Sequence, residues 1–176
     1  MAITRTVEQQ FAHTVDVVKG GPVNARLEYT APVNAEATGI YKGSLVSLNN
    51  KGEFVLGLSS AKAMPLWSKK NLTDPDVVCG SQDGNGISIT NSITGGQIDA
   101  YVATGGFELE TTEFVAGKYE ANNYLTADAG KVAVTDEEPY GTVAIVGVVS
   151  RGVQKGIYKT QRLAFWPVFL PGKSAQ

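Results

Sequence analysis

The stretch IDAYVATGGFELETTEF, residues 98–114, carries the clearest structural signal in this chain. Within it, Phe107 and Leu109 alternate with Glu108 and Glu110. This period of two is typical of a strand with one buried face and one solvated face. The stretch therefore predicts a β-strand whose two carboxylates point away from the core.

A second stretch, TVAIVGVVS at residues 142–150, is apolar without alternation. Such a run favours a strand that is covered on both faces, so we predict residues 143–149 as the central strand of a sheet. Gly147 within this strand lets a neighbouring backbone or ring approach closely. In the first stretch the apolar parity switches at Phe114, which predicts a bulge or the end of that strand.

The remaining segments favour strands and turns. Residues 41–58 have the signature of a hairpin, because their central NNKG sequence tolerates the positive φ of a tight reversal. A short helix can begin at Ser59 or Ser60, but Pro65 ends or kinks it within two turns. Residues 72–97 predict loops around one short strand. Residues 163–171 predict a strand beside the central one, and their prolines place that strand at an edge or an end.

These elements predict an all-β fold, a small barrel or sandwich-like domain with less than about a fifth of its residues in helices. Residues 1–36 show no sustained period and predict an extended N-terminal arm, in which residues 8–18 stay open between helix and strand. The β-rich domain then covers residues 37–176. Within it, residues 59–97 form a loop-rich insertion.

Composition limits the class of protein. A chain of 176 residues with 43% hydrophobic residues is sufficient for one domain with a real core. Cys79 is the only cysteine, so an intrachain disulfide and a multi-cysteine metal site are excluded. The polar start and the short apolar runs predict neither a signal peptide nor a membrane span.

The residue types used in catalysis are sparse. His13 is the only histidine, and with Asp16 nearby it makes a weak candidate for a catalytic base. The spacing of Glu108 and Glu110 alone permits a glycosidase pair, although alternating glutamates on a strand are usually solvated. The DGNG sequence at residues 83–86 lacks the glutamate that ends a calcium loop. We predict a protein that is not an enzyme, with no catalytic residue, cofactor or metal.

Charge is distributed unevenly along the chain. The net charge of −2 gives no general attraction to nucleic acid. However, residues 107–138 contain eight acidic residues and two lysines, whereas residues 139–176 contain five basic residues and no acid. The simpler interpretation is two solvated faces. The alternative is an interface between subunits, for which the candidates are Glu108, Glu110, Glu113, Arg151, Lys155 and Lys159.

Five phrases of the second half resemble the head decoration, or capsid cement, proteins of tailed bacteriophages. They are YVATGGFEL (101–109), NYLTA (123–127), GKV (130–132), IVGVVS (145–150) and LAFWP (163–167). The resemblance is one of pattern and order over residues 98–170, and the first half and the insertion at 59–97 depart from it.

The resemblance implies a structural virion protein. Proteins of this family bind the outside of an assembled capsid as homo-oligomers, commonly homotrimers, and stabilise the shell against internal pressure. It therefore implies the major capsid protein of a phage head and further copies of this chain as partners. It also implies synthesis in the host cytoplasm and a final location on the capsid surface, without direct contact to nucleic acid or membrane.

Two alternatives stay open. One is a structural protein of a phage tail or baseplate. The other, from a different class, is a small carbohydrate-binding β module or hydrolase that uses exposed aromatic residues. The positions of Trp67 and Trp166 discriminate between these classes, because an aromatic platform for a sugar must be exposed.

Overall fold

The computed structural model describes residues 13–20, 28–71, 97–103, 106–155 and 160–173. These residues form strands, turns and loops, and none of them is helical. In chain order the strands are β1 (Val15–Gly20), β2 (Glu28–Pro32), β3 (Leu45–Leu48), β4 (Phe54–Leu56), β5 (Leu66–Ser68), β6 (Gln97–Val102), β7 (Phe107–Thr111), β8 (Tyr124–Asp128), β9 (Lys131–Thr135), β10 (Ile145–Lys155) and β11 (Gln161–Leu170).

The strands form two antiparallel sheets. One has six strands in the order β1-β7-β11-β10-β8-β9, and the other has five in the order β2-β6-β5-β3-β4. The five-stranded sheet curls until its edges meet at one isolated bridge between Val33 and Phe54, without closing into a ladder. The all-β prediction is therefore confirmed, and the architecture is a sandwich and not a closed barrel.

The first hydrophobic core lies between the two sheets. Leu109 of β7 and Phe165 of β11 are fully buried there from the six-stranded sheet. Trp67 of β5 meets them from the other sheet, with its ring centroid 5.4 Å from that of Phe165. Burying large side chains of this kind contributes on the order of 2 kcal/mol each, which makes this layer the main source of stability.

A second core covers the opposite face of the five-stranded sheet. It contains Val46, Phe54 and Leu66, and the loop residues Val33 and Ile40 close over them. Neighbouring residues such as Leu66 and Trp67 therefore enter different cores, as the pleat of a strand requires. Both faces of this sheet are covered, whereas the outward face of the six-stranded sheet carries the exposed Trp166.

Several local predictions are confirmed. The NNKG sequence turns between β3 and β4, with Gly52 at φ 77°. β7 ends at Thr111, and Phe114 leaves it to form a parallel bridge with Val132. At Gly147 a Cβ atom would lie 2.7 Å from Cδ2 of Phe165, so this glycine does admit a neighbouring ring.

Other local predictions were wrong. Residues 59–64 form turns instead of a short helix. β11 is internal between β7 and β10, and not an edge strand. Pro167 is tolerated there because the register with β10 shifts between Ile145 and Gly147, and because the pairs with β7 stop at Phe165. The central strand also continues past Val149, its predicted end, to Lys155.

The segment predicted as an N-terminal arm contributes two strands. β1 pairs with β7 and β2 pairs with β6, so each is an edge strand of one sheet. Residues 1–12 and 21–27 lie outside the described residues. In the predicted insertion, β5 lies between β3 and β6, whereas residues 72–96, with Cys79 and the DGNG sequence, also lie outside them.

Candidate functional site

The outer face of the six-stranded sheet is the candidate site. We use the name for the side of β1, β7, β11, β10, β8 and β9 that is turned away from the first core. Because Leu109 and Phe165 point into that core, their neighbours Glu108, Glu110 and Ala164 point outward. Antiparallel pairing then aligns Asp16 with Glu110, and Glu110 with Ala164.

A β-bulge brings two β10 residues to one carboxylate of β7. The register between β10 and β11 shifts between Val149 and Gly152, which leaves Ser150 and Arg151 between paired positions. In a regular strand these two side chains would point to opposite faces, but here both bond Oε1 of Glu108. The bulge is therefore the local feature that assembles this cluster.

Arg151 spans an entire strand to reach its partners. Its Nε lies 2.7 Å from Oε1 of Glu108, and its Nη2 lies 2.8 Å from Oε1 of Glu110. β11 runs between β10 and β7, and its residue at this level is the fully buried Ala164. A side chain longer than alanine would occupy the path of the guanidinium, so Ala164 is the residue that permits the crossing.

The environment of Glu108 favours its charged form. Its side chain is only 2% exposed, and burial by itself raises the pKa. Hydrogen bonds from Arg151 and Ser150, together with the charges of Arg151 and Lys19, outweigh burial and hold the pKa below its ordinary value. The same pair raises the pKa of Arg151. Glu108 is therefore a buried carboxylate whose Oε1 accepts hydrogen bonds from both Ser150 and Arg151.

Arg162 extends the charge network to the edge of the sheet. Its Nη1 lies 2.7 Å from Oδ2 of Asp16 and 3.9 Å from Oε2 of Glu110. Glu110 thus lies between two arginines, and the network runs across β1, β7, β11 and β10. Most of these charges are satisfied within the chain.

Next to the charges, the outer face carries an apolar row. Tyr124 pairs with Val148, and Val148 pairs with Trp166, so three side chains stand in register across β8, β10 and β11. Trp166 is 43% exposed, whereas Tyr124 and Val148 are half-buried. A tryptophan this exposed in the middle of a sheet marks a surface that can contact a partner.

A separate cluster joins the start of β1 to the body of the sandwich. Nδ1 of His13 lies 2.6 Å from Oε1 of Glu113, and the imidazole stacks on the ring of Tyr41 at 4.0 Å between centroids. Glu113 is buried, and its carboxylate also accepts a hydrogen bond from Oγ1 of Thr112. The cluster holds three chain segments together.

The six predicted interface residues are therefore distributed over different places. Glu108, Glu110 and Arg151 come together on the outer face, where they bond one another within one chain. Glu113 belongs to the His13 cluster, and Lys155 is exposed at the end of β10. Lys159 lies outside the described residues. Their assignment to a subunit interface stays a prediction.

Sequence reasoning missed several residues of these clusters. Arg162 and Asp16 contact each other across 146 positions, and no local pattern indicates such a pair. The contact of Ser150 with Glu108 depends on the bulge in β10, which the local sequence does not predict. The alternation of Phe107 to Glu110, by contrast, did place the glutamates on the outer face. The solvation that it predicts is wrong for Glu108, which is buried against Ser150 and Arg151.

An open depression of about 590 Å³ lies on the surface. It is lined by Asp136, Glu137, Glu138, Pro139, Tyr140, Gly141 and Lys173. Within the described ranges, no set of three histidine, cysteine, aspartate or glutamate residues is placed to hold a metal ion. The described part of the chain also contains no helix able to cross a membrane.

Comparison with known proteins gave no relative. No protein-family model, curated protein or solved structure matches this chain significantly.

Proposed function

We propose that this chain is a structural virion protein that binds the outside of an assembled phage capsid as a homo-oligomer and stabilises the shell. Its partners are the major capsid protein and further copies of itself. The resemblance implies a homotrimer on the capsid surface, made in the host cytoplasm. No catalytic step is part of the proposal.

One observation carries the proposal. The phrases that resemble capsid decoration proteins fall mainly on β7, β8, β9, β10 and β11, which are five of the six strands of one sheet. That sheet presents a broad outer face with an exposed Trp166 beside a charge network that is already paired. A rigid, prefolded face of this kind suits a protein that acts by binding, because little ordering is required on association.

The test uses phage heads assembled without this protein. Purified full-length chain is added, unbound protein is removed, and the bound amount and its position are measured by gel densitometry and electron microscopy. The heads are then heated or osmotically shocked while DNA release is followed. We expect saturable binding to the outer surface and a higher temperature of DNA release.

Two results would overturn the proposal. One is a lack of binding to intact heads, and the other is equal robustness of heads with and without the protein. Labelling confined to the tail of complete virions would assign the chain to the tail or baseplate instead. A variant lacking residues 1–12 tests the predicted arm, since it should bind heads more weakly if the arm contacts the shell.

The second candidate function is carbohydrate binding. Trp67 is fully buried and cannot serve as a sugar platform, but Trp166 is 43% exposed on the outer face. An exposed indole stacks well on the apolar face of a pyranose. A panel of soluble oligosaccharides should then quench or shift the fluorescence of the wild type at constant protein concentration, and Trp166→Ala should abolish the response.

A further inference from the structure

The exposed apolar side chains of the outer face lie near the centre of the sheet. Trp166 lies on β11, in one register row with Val148 and Tyr124, and β10 and β11 are the two central strands of the sheet. Large aromatic residues near the centre of a rigid surface typically contribute most of the binding energy in protein interfaces. The row therefore marks the centre of a contact surface.

The charges on this face are balanced. It carries four acidic and four basic residues, which are Asp16, Glu108, Glu110, Asp128, Lys19, Lys131, Arg151 and Arg162. Several are paired within the chain, so their desolvation on association is already partly compensated. A face with an excess of one sign would repel a second copy of itself, whereas this one does not.

The size of the face also suits a second copy. With about 4.8 Å between strands and 3.3 Å per residue, six strands of about five residues cover on the order of 500 Å². Two such faces together bury about 1,000 Å², which is near the lower limit for a specific protein interface.

We infer that two copies of this chain associate through their outer faces, with the Trp166 side chains at the centre of the contact. One patch then meets its own counterpart, which is the geometry of a two-fold, isologous interface. Such a contact produces dimers, or hexamers where the trimer implied by the resemblance also forms. The inference rests on the proposed function and specifies its self-association: it assigns the outer face to a second copy of the chain and not to the shell.

The two tryptophans provide a direct measurement. Trp67 is fully buried, so acrylamide quenching of the full-length protein reports mainly on Trp166. Quenching and the mass from sedimentation are measured together over a range of protein concentrations. We expect the mass to double, and the accessible fluorescence to fall, over the same range. Trp166→Ser should raise the dissociation constant of the two-fold contact at least tenfold.

The matched control is Tyr140→Ser. Tyr140 is 59% exposed but lies in the loop between β9 and β10, outside the strands that form the outer face, so its removal should leave the dissociation constant within twofold of the wild type. Circular dichroism establishes that both variants are folded. If Trp166→Ser does not fold, the quenching of the wild type still shows whether Trp166 is buried on association.

Each other outcome overturns the inference. A chain that never doubles in mass, or an assembly in which Trp166 stays fully quenchable, excludes this face as the contact. Protection of Trp166 by an oligosaccharide or by heads, without any self-association, assigns the face to that partner. Mass and quenching are measured on protein that is free of capsids. A negative result here would therefore exclude the two-fold contact without excluding binding to phage heads.

Discussion

Arg151 on β10 bonds Glu108 on β7 across the whole width of β11, with Nε of the arginine 2.7 Å from Oε1 of the glutamate. The two residues carry the opposite charges that the sequence suggested for contacts between subunits. In the folded chain they satisfy each other. Substitutions at this pair should therefore change the stability of the single chain.

Replacing Arg151 with alanine should destabilise the fold by about 2–3 kcal/mol, because the buried Glu108 carboxylate loses its main partner. Arg151→Glu should cost more, since a third carboxylate then lies beside Glu108 and Glu110. Urea unfolding measures both. Lys155→Glu is the control, because Lys155 is exposed at the end of the same strand, and it should stay within about 0.5 kcal/mol of the wild type. Equal stability of Arg151→Ala and wild type would show that the pair has no structural role.

The lowered pKa of Glu108 predicts acid sensitivity. A carboxylate whose pKa is lower in the folded state adds stability above its unfolded pKa, and this stability is lost as the pH falls through the folded value. Unfolding free energy should therefore fall below about pH 4.5, where the unfolded glutamate begins to take up protons. Glu108→Gln should flatten this part of the profile.

The control for this titration is the background of Arg151→Ala. There burial, which raises the pKa of Glu108, loses its main opposing contact, so Glu108→Gln should no longer flatten the acid part of the profile. The same slope change in both backgrounds would mean that Arg151 does not set the titration.

The strands most visible in the sequence are those whose pattern is local. Phe107 to Glu110 alternate because one face of β7 is buried, and the NNKG turn fixes its hairpin within a few residues. A glycine inside an apolar strand usually marks a position where another backbone or ring approaches closely, so this contact at Gly147 was predictable. Such features depend on neighbours in the chain, so a single sequence contains them.

The features that were missed depend on distant partners. The sequences of β1 and β2 show no regular period. These segments form strands because β1 pairs with β7 and β2 pairs with β6. The Arg151–Glu108 pair joins residues 43 positions apart through a bulge that no residue type requires. Long-range pairing determines these elements, whereas local propensity does not.

Gly147 gives a third prediction. A Cβ atom at this position would lie 2.7 Å from Cδ2 of Phe165 and 3.1 Å from the carbonyl oxygen of Trp166. Gly147→Ala should therefore cost about 1–3 kcal/mol through overpacking. Gly106→Ala is the matched control, because a Cβ atom there meets nothing within 4 Å, and it should leave the midpoint of thermal unfolding nearly unchanged. An equal shift in both variants would exclude crowding as the cause.

His13 gives the fourth prediction, which concerns the attachment of β1. The imidazole bonds the buried Glu113 at 2.6 Å and stacks on Tyr41, so it anchors the chain two residues before the edge strand begins at Val15. His13→Ala leaves the Glu113 carboxylate buried with fewer partners, which should cost about 1–2 kcal/mol. Because β1 pairs on one side only among the described strands, the loss should appear mainly as local opening of that strand.

Hydrogen exchange measures this opening residue by residue. Amides of Val15–Gly20 should exchange several-fold faster in His13→Ala, while those of β10 keep their protection. Val18→Ala is the control on the same strand, because Val18 is exposed at the bulge and contributes little to packing. In the background of Glu113→Gln, the effect of His13→Ala should shrink, since the hydrogen bond has already lost its charged acceptor. Uniform acceleration across β1 and β10 would instead mean that His13 supports the whole fold, and unchanged exchange would mean that β1 is held by its pairing with β7 alone.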